Sequence, residues 1–506
     1  MSRIRLGLVT LVLLCACGGG DDGTVQDGSA EAGQDGTPND TGVNDTGVND
    51  TGVNDTGVND TGVNDTGTSD GSSDGGIMDA PSDGPIIVDG GIVCDSVISP
   101  WHYVVDPVNG SDAVNSTGSG TSGNNKTAAC AFKTITNAIV KILAANNPPN
   151  AGTQIIVFGP STVSLAANGE TFPINVPKNT LVTSSGGTVK VAVAAANVDM
   201  FKLAQTGSGL DSLTLDGTSN AAGHAVTAAT GTDTTDKLTN LIVSSFGNDC
   251  VGLSGTGALT VGDNVKVSAC GTNNARRSGF HATDGSYLAI KPPNTAVVIA
   301  TNTLHGIQIQ GTAHLDVTST LGNSPPGTAL VQVDANAASG VFIQQIPNPN
   351  NPPPLNTIDG AAIGGSTGIA NSLGEGIAVF GGSQLKLRSS WVLKNLSNGV
   401  IVSTYPQVVN GASDTVGIDL GFSSNDWGKN RVQDQNSSNG AAGICLNLTV
   451  ALNATLAARG NYFATNIDCT SMNTALSKGI CASGAKQHVG ISGSQMNSIV
   501  TFMCTN

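Results

Sequence analysis

Most of the chain repeats one pattern: two apolar residues flanking a third, a short turn, then a second such pair. Val251-Gly-Leu253 leads to Leu259-Thr-Val261, and Phe280-His-Ala282 leads to Leu288-Ala-Ile290. Ile307-Gln-Ile309 leads to Leu315-Asp-Val317, and Ile377-Ala-Val379 leads to Leu385-Lys-Leu387. Weaker starts lie at Phe201, Val341 and Val400. From 251 through 280, 307, 341 and 377 to 400, the starts are 29, 27, 34, 36 and 23 residues apart. Period-two alternation marks strands with one face in and one face out. Equivalent strands returning at this interval mark a solenoid in which each coil stacks on the last. Val265/Val267, Val297/Ile299 and Trp391/Leu393 supply a third apolar alternation per coil, and the proline-rich Pro347–Pro354 stretch accounts for one of the long intervals. The expected fold is therefore all-β, a right-handed parallel β-helix with three short strands per coil.

Composition agrees. With 67 glycines, 11% charged and 4% aromatic residues, the chain lacks the material for a wide helical core. It suits many short strands joined by tight turns. At the start of the domain Ile135, Ala138, Ile139, Ile142 and Leu143 form one apolar helical face, followed by a strand at Gln154–Phe158. Such a helix would cover the open end of the solenoid.

His102-Tyr-Val-Val-Asp-Pro-Val-Asn-Gly-Ser-Asp112, a Gly/Ser/Thr loop, and Ala131-Phe-Lys-Thr-Ile135 together resemble the N-terminal signature of bacterial pectin-lyase-like β-helix domains, including a domain family of unknown function. Ala131 stands where that family usually has Pro. The resemblance covers roughly residues 100–185 and implies the fold, not an activity, since one fold hosts many functions. Lyases of this class use clustered carboxylates to hold calcium and an Arg or Lys as base, and its hydrolases use paired Asp residues. The only adjacent Asp pair here is Asp21-Asp22, and Gly-His-Gly, Arg-x-Lys and Arg-x-Pro-x-x-Arg are all absent. No metal site and no cofactor are expected, and Ca2+ enters only under a lyase reading.

The N-terminus carries a separate message. Arg3 and Arg5 precede the apolar run Leu6–Leu14, which is too short to span a bilayer. Leu14-Cys-Ala-Cys17 then resembles the lipobox of bacterial lipoproteins, which implies removal of residues 1–16 and acylation of Cys17. Gly18 after that cysteine implies, by the same resemblance, an outer-membrane or cell-surface address. Residues 17–93 hold five NDTGV repeats (Asn39–Val63) and no hydrophobic periodicity, the signature of a disordered linker. About 76 such residues span roughly 45–50 Å. Of 37 acidic residues, 17 fall between Gly18 and Pro100 with no Lys or Arg, which leaves 20 acidic against 19 basic residues from Trp101 onward. The folded part is near neutral, so no electrostatic footprint for nucleic acid exists. The expected organisation is signal (1–16), linker (17–93), N-terminal cap (94–160), coils (161–422) and Cys-rich C-terminal coils and cap (423–506).

Eight cysteines remain: Cys94, Cys130, Cys250, Cys270, Cys445, Cys469, Cys481 and Cys504. Their even number in an exported chain points to disulfides. The sequence does not determine the pairing; a provisional assignment joins Cys94 to Cys130, Cys250 to Cys270, Cys469 to Cys481 and Cys445 to Cys504.

Aligning the coils stacks Asp249, Ser278, His305, Ser339, Glu375 and Asn398 in one row, with Arg277 beside it. Asp249, Arg277, His305 and Glu375 are thus the catalytic candidates, against the favoured alternative of a hydrogen-bonded corner ladder. Outward strand positions place His281, Gln308, Gln310, Phe342 and Gln344 on one flank, with Tyr287, His314 and Gln384 past the turn. Aromatic faces beside amide and imidazole donors suit sugar rings. The leading expectation is a lipid-anchored, non-catalytic β-helix that binds glycan or another cell-surface partner. The alternatives are a divergent polysaccharide lyase or glycoside hydrolase, and a purely structural envelope protein.

Overall fold

The structure, a computed structural model, describes residues 102–113, 131–145 and most of 148–433, with short strands at 86–93 and within 443–503. All lie in the unit Asp79–Asn506. Cys17, the NDTGV repeats, Cys94, Cys130, Cys469, Cys481 and Cys504 fall outside the described residues.

The chain winds as a right-handed parallel β-helix. Three parallel sheets of 11, 10 and 12 strands, here called sheets 1, 2 and 3, run its length, and each coil contributes one strand to each in that order. Phe201, Val226, Val251, Phe280, Ile307, Val341, Ile377, Val400 and Ile444 sit in one inward column of sheet 3. The aligned starts read from the sequence are therefore neighbours in space. The column also contains Val226, a coil start that the Thr/Ala-rich run around it conceals. Sheet 1 aligns Leu259, Leu288 and Leu315. The Pro347–Pro354 stretch falls between the strands Val341–Gln345 and Leu355–Asp359.

One inward assignment needs correction. Trp391 and Leu393 do not point into the core; Val392 does, continuing the column Val267, Ile299, Val333, Ile363 and Val432 of sheet 2. A shift of one residue reverses every side chain of a strand, and the parity here is fixed downstream. Ser245, Ala269, Thr301, Ala335, Gly365 and Lys394 follow successive sheet 2 strands, and all adopt positive φ between 51° and 65°. Each bend delivers the next residue into the interior: Phe246, Cys270, Asn302, Asn336, Ser366 and Asn395 are all buried. Asn395 can occupy that corner only if Val392, three residues earlier, faces inward. A column of β-branched side chains also has no room for an indole.

The buried corner residues bond from coil to coil. The Cys270 amide donates to Asn302 Oδ1 (3.2 Å), the Asn302 amide and Nδ2 both donate to Asn336 Oδ1 (3.2 and 2.8 Å), and Asn336 Nδ2 donates to the Ile299 carbonyl (3.2 Å). A second ladder lies at the corner between sheets 1 and 2. There the Ser390 amide donates to Asn430 Oδ1 (3.1 Å), and the Asn430 amide to Asn461 Oδ1 (3.0 Å). The disulfide Cys250–Cys270 fastens the sheet 2 corner back to the start of the preceding sheet 3 strand, Val251–Leu253, as assigned from the sequence. Cys445 is also disulfide-bonded.

The helix Ile135–Ala145 buries Ile135, Ala138, Ile139 and Ile142, while Leu143 is left at the solvent edge. The two acids of the sequence signature have separate structural roles, one at the turn after the first strand and one at the start of this helix. Asp106 Oδ1 accepts from the amides of Val108 and Asn109, closing the turn after the first strand. Asp112 accepts from the amides of Lys133 and Thr134 and from the Thr134 hydroxyl. Glu170, fully buried, accepts from the amides of Ile135 (2.7 Å) and Thr136 (3.0 Å). Two carboxylates thus satisfy amides that a helix start leaves unpaired.

Asn336→Ala removes the acceptor of two buried donors and opens a small void. It should lower stability by about 3 kcal/mol, read as a clear fall in Tm, whereas Gln344→Ala at an exposed position should leave Tm nearly unchanged. Equal melting temperatures for both would contradict the role given to the ladder.

Candidate functional site

The polar row is longer than the sequence alignment made it. In line with Asp249, two residues before each sheet 3 strand, stand Asp199 and His224 upstream, then Ser278, His305, Ser339, Glu375 and Asn398. From Asp249 to Asn398 its members are buried. The Ser278 amide donates to Asp249 Oδ1 (2.6 Å), the Ser339 amide to His305 Nδ1 (3.2 Å), and the Ser339 hydroxyl to Glu375 Oε2 (3.3 Å). This is a hydrogen-bonded corner ladder. Asp249 and Glu375 are four rungs apart, roughly 19 Å at about 4.8 Å per coil, too far for the paired carboxylates of a glycosidase. Arg277 is exposed, and its amide donates to Thr303 Oγ1 (3.0 Å). The four catalytic candidates are therefore not assembled into one site.

Asp249 has a second use. Its Oδ2 lies 2.9 Å from Nδ1 of His281, which emerges on the outer face of sheet 3, and Nε2 of that ring lies 2.9 Å from Gln310 Oε1. An acceptor at each nitrogen suits the doubly protonated ring. Burial alone would lower the His281 pKa, but the bond to Asp249 and its charge outweigh it, and the net shift is upward. Ser278 Oγ donates to Gln308 Oε1 (2.7 Å), so Gln308 is tied to the same ladder. His224, one coil further from His281, pairs through Nδ1 with Asp199 Oδ1 (2.9 Å), and its ring lies beside Gly252, where any side chain would meet it. These residues were missed because the Val226 coil was missed; the Asp and His two residues before Phe201 and Val226 were the available signal.

Toward the C-terminus the flank turns aromatic. His305 stacks on Phe342 with centroids 4.4 Å apart and planes 19° apart, and Phe342 contacts Phe380 at 5.4 Å. Gln344 is exposed beside them. His305 is held neutral: burial pushes its pKa down to about 3.

Across the tight turn Thr283–Ser286, sheet 1 presents a second cluster. Tyr287 and His314 are paired neighbours with ring centroids 4.9 Å apart. The Tyr287 hydroxyl donates to Asp316 Oδ2 (2.9 Å), and Lys291 Nζ lies 2.5 Å from the same oxygen. Burial raises the Tyr287 pKa, and the bond to Asp316 adds to it. Asp316 raises that of Lys291 by accepting its hydrogen bond, while burial lowers that of His314. Near neutrality the cluster thus holds a neutral imidazole, a phenolic hydroxyl and an ammonium side by side. Lys291 was not among the sequence candidates, because it lies just past its strand, outside the alternation. Gln384 stands in the same outward row beyond Leu355. Among the described residues, no group of three His, Cys, Asp or Glu side chains is arranged to hold a metal ion.

The His305 shift has a measurable consequence. A folded pKa near 3, against about 6.5 unfolded, means that the unfolded chain takes up a proton first. The stability contributed by neutral His305 is complete above about pH 6.5 and is lost as pH falls toward 3. His281, shifted the other way, contributes stability that is complete below about 6.5 and is lost as pH rises through its folded value. His305→Gln, which keeps an acceptor for the Ser339 amide, should therefore reduce the fall in Tm between pH 7 and pH 5. An unchanged or steeper fall would refute the assignment.

No family model and no curated protein matches the chain. Among solved structures, Geobacillus virus E2 ORF18 is 12% identical, with 65% of this chain aligned to 56% of that one and a TM-score of 0.32. The chain therefore spans just over half the length of that protein. The Azotobacter vinelandii mannuronan C-5 epimerase AlgE6 A-module is 14% identical over 74% of this chain and 94% of its own, with a TM-score of 0.43. Pectate lyase Pel9A is 12% identical over 78% and 89%, with a TM-score of 0.37. By its own sheet order and register the chain is a parallel β-helix of three sheets.

Proposed function

We propose that this protein is an envelope-tethered β-helix that binds polysaccharide along the outer faces of sheets 3 and 1. The supporting observation is the continuous outward surface on both sides of the turn Thr283–Ser286. On one side stand His281, Gln308 and Gln310, fixed by the buried ladder beneath them. Further along come the Phe342 and Phe380 rings, and on the other side Tyr287 and His314. Sugar rings offer apolar faces flanked by hydroxyls, and this surface offers stacking faces flanked by fixed donors and acceptors. Preorganisation lowers the ordering cost of binding. The tether rests on the lipobox-like Cys17 and the acidic NDTGV-repeat segment that separates it from the β-helix in the sequence. A protein partner on the cell surface, or a purely architectural role, would use the same display.

A second reading, an enzyme acting by proton transfer, is favoured by the sheet 1 cluster alone. Neutral His314 could accept a proton, the Tyr287 hydroxyl could donate one, and the Lys291 ammonium could stabilise an anionic substrate group.

The whole chain in mild detergent should retain at least one member of a panel of acidic and neutral polysaccharides in affinity electrophoresis. His281→Ala with Phe342→Ala should weaken that retention at least tenfold without shifting Tm by more than a few degrees. Retention unchanged by the double variant would overturn the assignment of the flank. The same panel, read for unsaturated products and new reducing ends, decides between the two readings. Product formation abolished by His314→Ala supports the enzyme, and a flat result supports a binder. Cys17→Ser should move the protein from the membrane fraction to the soluble fraction, and unchanged partitioning would remove the lipid tether.

A further inference from the structure

The buried ladder does more than hold His281 in place; it decides which of the two ring nitrogens titrates. Asp249 is a rung of that ladder, 4% exposed, with Oδ1 taking the Ser278 amide (2.6 Å) and Oδ2 facing His281 Nδ1 (2.9 Å). Burial alone would raise the Asp249 pKa, but the bond and charge of His281 and the bond from the Ser278 amide outweigh it, and the net shift is downward. An ionised carboxylate only accepts hydrogen bonds. Nδ1 therefore carries its proton whether the ring is charged or neutral, since the bond made by one ring nitrogen sets the state of the other. The proton that comes and goes is the one on Nε2, and Nε2 faces Gln310 Oε1 across 2.9 Å.

The register sets the rest of the surroundings. His281 pairs with Gly252 on the coil before it, which has no side chain, and with Gln308 on the coil after it. The ring of His224, held by Asp199, fills the space over Gly252 and stands close enough to act on Asp249 by its charge. On the other side are Gln308, Gln310 and His305, the last kept neutral by burial. Arg277, exposed just before the strand, opposes protonation of His281 by its charge. The two glutamines differ in what holds them. Gln308 Oε1 accepts from the Ser278 hydroxyl (2.7 Å), a partner that does not titrate. Gln310 Oε1 has a partner that does.

We propose that His281 and Gln310 form a proton-driven switch that sets the specificity of the outer flank by inverting its hydrogen-bonding sense. With Nε2 protonated, the ring donates to Gln310 Oε1, and the Gln310 amide nitrogen is left to offer its donors to a ligand. When Nε2 gives up its proton to solvent, two acceptors face each other. The contact is restored by turning the amide over about its last torsion, which is broad and roughly two-fold. Gln310 Nε2 then donates to His281 Nε2, and the carbonyl oxygen is left for the ligand. The exchange costs little, because the bond from Nδ1 to Asp249 persists in both states and the ring stays where it is. As pH rises the flank thus loses one positive charge and trades an outward donor for an acceptor, while Gln308 is unchanged. Below the transition it holds a ligand's acceptors at this position; above it, a ligand's donors. The consequence for binding rests on the polysaccharide reading above; the switch itself does not.

The test uses the whole chain in mild detergent, with isotopically labelled histidine and glutamine read by nuclear magnetic resonance. Signals of His281, Gln308 and Gln310 are assigned as those lost on substitution of each residue. His281 should keep Nδ1 protonated throughout, gain and lose its proton at Nε2, and have a midpoint above the ordinary value of about 6.5. The Gln310 side-chain amide should change with that same midpoint, and the Gln308 amide should not. Gln310→Glu should raise the His281 midpoint and Gln310→Leu should lower it, each by at least about half a pH unit, a threefold change in proton affinity. Both substitutions fall at a half-exposed position, outside the core. Titration at Nδ1, a Gln310 amide indifferent to the His281 midpoint, or a midpoint unmoved by both variants would overturn the proposal. Affinity electrophoresis on a retained polysaccharide, on either side of the midpoint, reads the consequence. Retention should change at least threefold through the midpoint in the wild type, and His281→Gln, though a weaker binder, should lose that dependence. Retention constant through the midpoint would overturn the role of the switch in specificity. No retention at any pH would remove the polysaccharide reading, and the spectra would still decide the switch.

Discussion

Every coil of this protein has to turn its chain into the next sheet without leaving a buried amide or carbonyl unpaired, and the corner ladders are the solution. Between sheets 2 and 3 one residue per coil enters the left-handed region, and five of the six aligned residues there are not glycine: Ser245, Ala269, Thr301, Ala335 and Lys394. For residues with a Cβ such a bend costs on the order of 1–2 kcal/mol each. It is tolerated because it sends the following side chain into the interior, where Asn302 and Asn336 supply acceptors to the coil before them. Local strain and long-range hydrogen bonding are thus two halves of one device, repeated about every 4.8 Å.

The outer surface inherits its order from that device. Once the corners are fixed, the strand register is fixed, and with it the parity of every side chain. His281 faces outward on a ring held by Asp249, itself a rung of a buried ladder. Trp391 faces outward because Asn395 must face inward. Neither position is set by its own hydrophobicity. The outer faces carry side chains with few torsional options left, a useful property in a surface that recognises a ligand of repeating units.

Much of the fold was legible in the sequence because the repeat is a statement about backbone period. Apolar pairs at Val251, Phe280, Ile307 and Ile377 recur with enough fidelity to give strand, coil length and inward face together. Legibility failed where side-chain size or polarity departed from the period. Val226 was hidden by alanines and threonines, and Asn336, an interior residue, is polar. Trp391 and Leu393 matched the alternation by composition while violating it by parity. The site was less legible for a related reason. Asp249, His305 and Glu375 were correctly placed in one row, and the row proved to be a ladder. Lys291 and Asp316, by contrast, meet only because a long side chain one residue past its strand reaches across to the next coil. A contact of that kind has no signature in spacing.

The central claim is that the fixed outer flank of sheets 3 and 1 is where this protein meets a carbohydrate. Hydrogen–deuterium exchange of the whole chain, with and without a retained polysaccharide fragment, tests it most directly. The account predicts slowed exchange in peptides carrying Phe280–Ala282, Tyr287–Ile290, Ile307–Gly311 and His314–Thr318. Exchange in those peptides that is identical with and without the bound fragment would contradict it.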